Sequence, residues 1–165
     1  MKVFAIFGVT GSGKTTTAEN VIRELVSRGY SVGSVKDIHF ESFAMDTPGS
    51  NTHRHKTAGA SLVIARGPHE TDVLIPERLP LAQTLKFFHH DFVVVEGCNE
   101  EPLPKVLTAK NFAEADERLD GWVFAISGRL ANEHRQYQGL PVINAVTEAA
   151  LLVDLIEEKA LEPDL

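Results

Sequence analysis

Lys2-Val3-Phe4-Ala5-Ile6-Phe7-Gly8-Val9-Thr10-Gly11-Ser12-Gly13-Lys14-Thr15-Thr16 decides how the rest of the chain is read. Lys2 to Phe7 is an apolar run of strand length without clean alternation, the pattern of a strand buried on both faces of a parallel sheet. From Lys14 to Arg28 the apolar residues Ala18, Val21, Ile22, Leu25 and Val26 recur at helical spacing, and Gly29 stands where a left-handed cap belongs. Between strand and helix, Gly8 to Thr15 fills the pattern G-x-x-x-x-G-K-[ST] in the context its mechanism needs. Glycines let successive N–H groups turn into one concavity, and the helix N-terminus adds partial positive charge there. Gly11, Ser12, Gly13, Lys14, Thr15 and Thr16 are therefore the expected polyphosphate contacts. Lys14 reaches the β- and γ-phosphates, and the Thr15 hydroxyl binds Mg²⁺.

Outward from this loop, strands alternate with helices. Tyr30 to Val35 reads as a second strand and Lys36 to Asn51 as a long functional loop. His53 to Ala60 reads as a short helix, Ser61 to Ala65 and Thr71 to Ile75 as strands, and Pro80 to His89 as a helix that His89 and His90 end. Asp91 to Val95, Lys105 to Thr108, Trp122 to Ile126 and Pro141 to Ile143 are further strands. Short helices are expected near Asn111 to Arg118 and Leu130 to Gln136. Thr147 is placed to cap a last helix whose apolar face carries Ala150, Leu151, Val153, Leu155 and Ile156, before a charged tail, 157–165, expected to fray. The alternation predicts one α/β domain over 1–165, with a mostly parallel sheet flanked by helices and its ligand at the carboxyl ends of the strands.

Two acids lie at such strand ends. Glu96 closes the apolar strand Asp91 to Val95 and is the candidate to hold Mg²⁺ or one of its waters. Asp37, after the second strand, is the candidate to touch the metal or orient an attacking water. Lys14, Asp37 and Glu96 form the expected catalytic set, with Thr15 and Glu96 as metal ligands. Lys36, His39, Glu41 and Asp46 crowd the same loop, and His53, Arg54, His55 and Lys56 form a basic knot suited to an anion. His39, His53 and His55 lack the close-spaced partner ligands of a structural zinc site. Cys98 has no identifiable base that would make it a nucleophile.

Composition narrows the classes. The 165 residues are 43% hydrophobic and 24% charged, as in an ordinary globular domain. The formal charge of −7 repels nucleic acid, and no basic patch offsets it. One cysteine calls for no oxidising compartment. No apolar run approaches the length of a membrane span, and the N-terminal apolar stretch lacks a cleavage pattern, so a cytoplasmic protein is expected.

The order of four landmarks resembles the molybdopterin-guanine dinucleotide biosynthesis protein B family, MobB. They are the loop Gly8 to Thr15; Gly33-Ser34-Val35-Lys36; Asp46-Thr47-Pro48-Gly49-Ser50-Asn51-Thr52-His53-Arg54-His55 leading to Ala58-Gly59-Ala60; and Val94-Val95-Glu96-Gly97 with Pro104-Lys105-Val106 downstream. The resemblance implies a P-loop NTPase-like fold, GTP and Mg²⁺ binding, weak hydrolysis, a homodimer, and assistance to the guanylyltransferase that attaches GMP to molybdopterin. By position, Lys14 and Thr15 match phosphate and magnesium ligands and Glu96 the acid of the V-E-G motif. Lys36, Asp46, Arg54 and Lys105 match recurrent polar positions. The chain departs from the family at Asp37, where a histidine is usual, and at Cys98-Asn99, where an aromatic-lysine pair is common. It has no Asn-Lys-x-Asp guanine motif, so Ser127 to Arg129 and Asn144 stand as candidate base contacts. The rival readings are an ATP-dependent small-molecule kinase or ligase, and a nucleotide-holding adaptor without turnover.

Overall fold

The computed structural model describes residues 1–40 and 42–163, so Glu41 and the last two residues of the 157–165 tail lie outside the described residues. The elements are β1 (Lys2–Gly8), α1 (Lys14–Ser27), β2 (Val32–Lys36), α2 (Asn51–Thr57), β3 (Val63–Arg66), β4 (Thr71–Leu74), α3 (Leu81–Leu85), β5 (Phe92–Glu96), β6 (Lys105–Thr108), α4 (Phe112–Asp116), β7 (Val123–Ser127), β8 (Gln136–Tyr137), β9 (Leu140–Pro141) and α5 (Ala149–Lys159). A 3-10 turn occupies Gly128–Asn132. Two compact units result, Met1–Asp37 with Phe88–Leu165, and Ile38–Phe87.

The larger unit is a parallel five-stranded sheet in the order β2-β5-β1-β6-β7. Alternate faces of each strand feed two cores, as a sheet covered on both sides requires. Phe4, Ile6, Val94 and Val106 meet Ala18, Val21 and Leu25 of α1 and Leu152, Val153 and Ile156 of α5. Phe7, Leu107 and Ile126 meet Ala115 of α4 and Leu130 of the 3-10 turn. This is the three-layer α/β fold with a parallel sheet that the alternation of elements predicts, and it is the P-loop NTPase-like fold that the resemblance implies.

Register sets the rim. Ala5 lies opposite Lys105, so β6 begins partway along β1 and leaves the edge beside Val3 open. Leu161 fills it: Val3 N donates to Leu161 O at 2.7 Å and Leu161 N to Val3 O at 3.2 Å. The tail expected to fray is thus stitched to the sheet at that residue. Arg28 ties the end of α1 to α5 through Asp154 and Glu157, and these acids with Glu24 raise its already high pKa.

Several boundaries differ from expectation for packing reasons. α3 spans five residues, and His89 and His90 lie outside it; the Phe88 ring occupies the space above Gly33, 2.3 Å from where a Cβ would stand. In place of a helix over Leu130 to Gln136 there is the 3-10 turn and β8, with Leu130 N held by Ala109 O at 2.9 Å. Thr147 is not the cap of α5, which begins after Glu148. Its buried face is Leu152, Val153 and Ile156 rather than one through Leu151, and Val26 of α1 is likewise exposed. Counting apolar residues located both helices; only packing chose their faces.

In the smaller unit, β3 and β4 pair antiparallel, with Ile64 opposite Val73. Asp46 anchors the turn into α2. Its Oδ1 accepts from Ser50 Oγ and Thr52 Oγ1, each at 2.8 Å, and Lys56 Nζ lies 3.5 Å from Oδ2. Burial opposes ionisation of Asp46, but the two hydroxyls and Lys56 outweigh it and hold the carboxyl below its ordinary range.

Candidate functional site

The loop after β1 is made by glycines in left-handed backbone, Gly11 at φ 75° and Gly13 at φ 109°. Gly13 is also the N-cap of α1 and supplies no side-chain cap, and no acid lies in the first turn. A fourteen-residue helix therefore starts at the carboxyl rim without a side-chain acceptor for its first N–H groups, the arrangement that favours an anion.

One flank of this loop is packed solid. Ser12 is fully buried, its Oγ 2.8 Å from Val9 O and 2.7 Å from Thr108 Oγ1, and Thr108 Oγ1 donates to Phe7 O at 3.0 Å. A Cβ on Gly8 would stand 2.1 Å from Thr108 O, and one on Gly128 would stand 2.3 Å from Ser12 O. Arg129 N donates to Ser12 O at 3.1 Å, and the Ser127 hydroxyl is buried 3.5 Å from Thr17 Oγ1. Ser127 and Gly128 thus brace the loop from behind. Asn144, the other candidate base contact, spends its amide on Asn132 Oδ1 and its carbonyl on Val146 N.

The other flank is polar. Lys14 folds back, Nζ donating to Gly8 O at 2.9 Å and to Val9 O at 2.8 Å. Thr15 Oγ1 donates to Glu96 Oε1 at 2.8 Å, and Lys36 Nζ donates to the same oxygen at 2.7 Å. Burial lowers the pKa of Lys14; Glu96 opposes this, while the charges of Lys36 and Arg118 lower it further. Lys14 thus feels one carboxylate and two further cations, a field that favours an anionic ligand beside it. Thr16 is exposed at the helix start, its carbonyl taken by Asn20 Nδ2 at 2.8 Å. Asp37 N donates to Glu96 O at 2.8 Å, and Asp37 Cβ would sit 2.9 Å from a Cβ on Gly97, so this crossing of chains needs glycine.

Lys14, Thr15 and Glu96 are thus brought together, with Asp37 beside Glu96 through the backbone. Thr15 and Glu96 offer hard oxygens 2.8 Å apart, a donor set that fits Mg²⁺. Sequence reasoning missed the bracing by Thr108 and Gly128, the Arg118 charge and the bond from Lys36 to Glu96. A glycine just after the apolar strand ending at Ser127 was a signal for the bracing by Gly128. Nothing local marked Arg118.

Lys105 is a different case. Its Nζ is buried, donating to Asn99 O at 2.6 Å and to Asp120 Oδ2 at 2.9 Å, and lies 5.2 Å from the centre of the Phe7 ring. It straps the segment after Gly97 to the start of β7. Within the smaller unit, a cavity of about 410 Å³ is lined by Ala58, Ala60, Leu62, Val63 and Ile64, and of the basic knot only His55 reaches it.

Residues 3–126 match the family model described as molybdopterin guanine dinucleotide synthesis protein B, MobB. The chain belongs to the MobB family. Its role accordingly lies in molybdopterin guanine dinucleotide biosynthesis. It is 32% identical over 131 residues to the molybdopterin-guanine dinucleotide biosynthesis adapter protein of Haemophilus influenzae, covering 76% of this chain and 73% of that one. A probable adapter protein of the same name from Bacillus subtilis is 29% identical over 149 residues, covering 87% and 85%. The crystal structure of Bacillus subtilis MobB superposes with a TM-score of 0.78 at 23% identity, over 99% of this chain and 100% of that one. A MobB homologue from Bacillus stearothermophilus gives 0.70 at 22% identity, over 96% and 97%. The chain thus shares its fold with these MobB structures. No helix among the described residues is long and apolar enough to cross a membrane.

Proposed function

We propose that this chain binds GTP with Mg²⁺ at the loop between β1 and α1 and hydrolyses it slowly, as a cytoplasmic homodimer that assists the guanylyltransferase acting on molybdopterin. The observation that carries the reading is the Thr15 Oγ1 to Glu96 Oε1 contact at 2.8 Å, placed at an α1 N-terminus with no side-chain cap. Mg²⁺, when bound, supplies charge neutralisation on the phosphates, and Thr15 and Glu96 are the residues that would hold it. Backbone N–H groups of the loop cradle the phosphates, and Lys14 exchanges two neutral carbonyl acceptors for charged phosphate oxygens. Water attacks the γ-phosphorus as its bond to the β–γ bridging oxygen breaks, leaving GDP and phosphate. Asp37 is assigned to orient that water. Among the described residues only Arg118 adds an arginine charge at Lys14, and it already holds Glu117 at 2.7 Å, which suits slow turnover.

The homodimer reading is supported by the hairpin of the smaller unit, where the facing pair Ile64 and Val73, with Leu62, is exposed. Sedimentation of the wild type and of Ile64→Ser tests it; a monomeric wild type removes the dimer from the proposal.

Calorimetric titration of nucleotide-free protein with GTP and ATP, with and without Mg²⁺, tests the main reading. Mg²⁺-dependent preference for GTP is expected. Preference for ATP moves the kinase or ligase reading first. The relatives' name, adapter protein, favours a second reading in which nucleotide is held without turnover. Tight GTP binding with hydrolysis no faster than in buffer would select it.

A further inference from the structure

Glu96 Oε1 carries two donors at once, the Thr15 hydroxyl at 2.8 Å and the Lys36 ammonium at 2.7 Å. The pairing of β2 with β5 sets Lys36 directly opposite Glu96, so the register and not a chance rotamer brings them together. The partners differ in freedom: the Lys36 side chain is 57% exposed and that of Glu96 is 13% exposed. The ammonium can leave by turning its flexible stem, whereas the carboxylate stays at the rim beside Thr15. A cation thus already sits on Glu96 Oε1, an oxygen of the pair that would hold the metal.

We propose that Lys36 is the resident counter-ion of Glu96, that it yields this carboxylate when Mg²⁺ binds, and that it then contacts the terminal phosphate of the nucleotide. Lys36 keeps the acid neutralised in the nucleotide-free state, when the loop holds no phosphate. Once released, it adds a second ammonium to Lys14 on the phosphate farthest along the chain, where a triphosphate differs from a diphosphate. The charge of Lys36 is already felt at Lys14, which places the two ammonium groups in one field.

The inference rests on the nucleotide reading above, and the test separates the two. Lys36→Met, checked by thermal melting for an intact fold, is compared with the wild type by titrating Mg²⁺ against binding of a fluorescent non-hydrolysable GTP analogue and of labelled GDP. With the competitor gone, the Mg²⁺ concentration giving half of the affinity gain should fall about two- to fivefold, the range spanned by an exposed ion pair. At saturating Mg²⁺ the preference for triphosphate over diphosphate should narrow by a similar factor, and Lys36→Arg should restore it. Superposable Mg²⁺ curves, or a higher Mg²⁺ requirement in Lys36→Met, overturn the proposal while leaving nucleotide binding in place. A wild type that binds neither nucleotide overturns both readings.

Discussion

On its β6 and β7 side the phosphate loop lies against backbone and fully buried hydroxyls, so closely that a methyl group on Gly8 or Gly128 would collide with a carbonyl oxygen. On its β5 side it meets Thr15, Glu96 and Lys36, whose contacts are single hydrogen bonds between partly exposed side chains. The first flank fixes the shape of the cradle before any ligand arrives. The second can exchange partners as charge enters and leaves. A site that must release its product needs both, because a rigid cradle preorganises donors while exchangeable ions set the response to phosphate and metal.

The largest effect should come from breaking the rigid flank. Gly128→Ala puts a Cβ 2.3 Å from Ser12 O at φ 80°, and a loss of about 3 kcal/mol or more is expected in urea unfolding. A variant as stable as the wild type would show that this flank yields as readily as the other. Lys14→Met should lose GTP affinity by about a hundredfold with no lower melting temperature, since in the nucleotide-free fold the burial of its ammonium offsets its bonds to Gly8 O and Val9 O. The sign follows from its lowered pKa: the folded state holds this proton less tightly, so charged Lys14 disfavours folding. The wild type should gain stability relative to Lys14→Met as pH rises through the lowered value toward the unfolded value of about 10.4.

Lys105→Met tests whether rigidity extends below the rim. Because Asp120 is partly exposed and can take up water, the cost should be about 1–2 kcal/mol rather than that of a stranded buried charge. Burial of Asp120 opposes ionisation, but Lys105 and the backbone N–H groups of Trp122 and Val123 outweigh it and lower its pKa. That contribution is complete above the unfolded value of about 3.9 and is lost as pH falls through the depressed folded value, so the gap between wild type and variant should close in acid unfolding. A small change in stability is expected at the polar flank: Glu96→Gln should change the unfolding free energy by less than about 1 kcal/mol while removing the Mg²⁺ dependence of GTP binding. A large stability loss there would erase the distinction between the flanks.

Much of the loop was legible because its signals are local. Glycines at 11 and 13, a lysine and a threonine before a helical repeat specify a backbone path that needs no distant partner. Asp91 was legible only as the polar start of a strand; its hydrogen bonds to the Ser31 hydroxyl and amide, which lower its pKa, lie beyond any local pattern. The buried face of α5 was misjudged because Leu151 and Leu152 are equally apolar, and which one turns inward depends on where the helix crosses α1 and β7. Leu161 was missed because its partner, Val3, opens only through the late start of β6.

The sequence by itself determined the phosphate cradle, the alternation of strands with helices and the acid at the end of β5, since dihedral preference and hydrophobic period act within a few residues. Only the tertiary structure decided that Thr15 meets Glu96 across 81 residues of chain, that Lys36 meets it across 60, and that Gly128 closes the loop from behind. Those meetings depend on the order and register of parallel strands, which are set by how whole faces pack and which no single segment encodes.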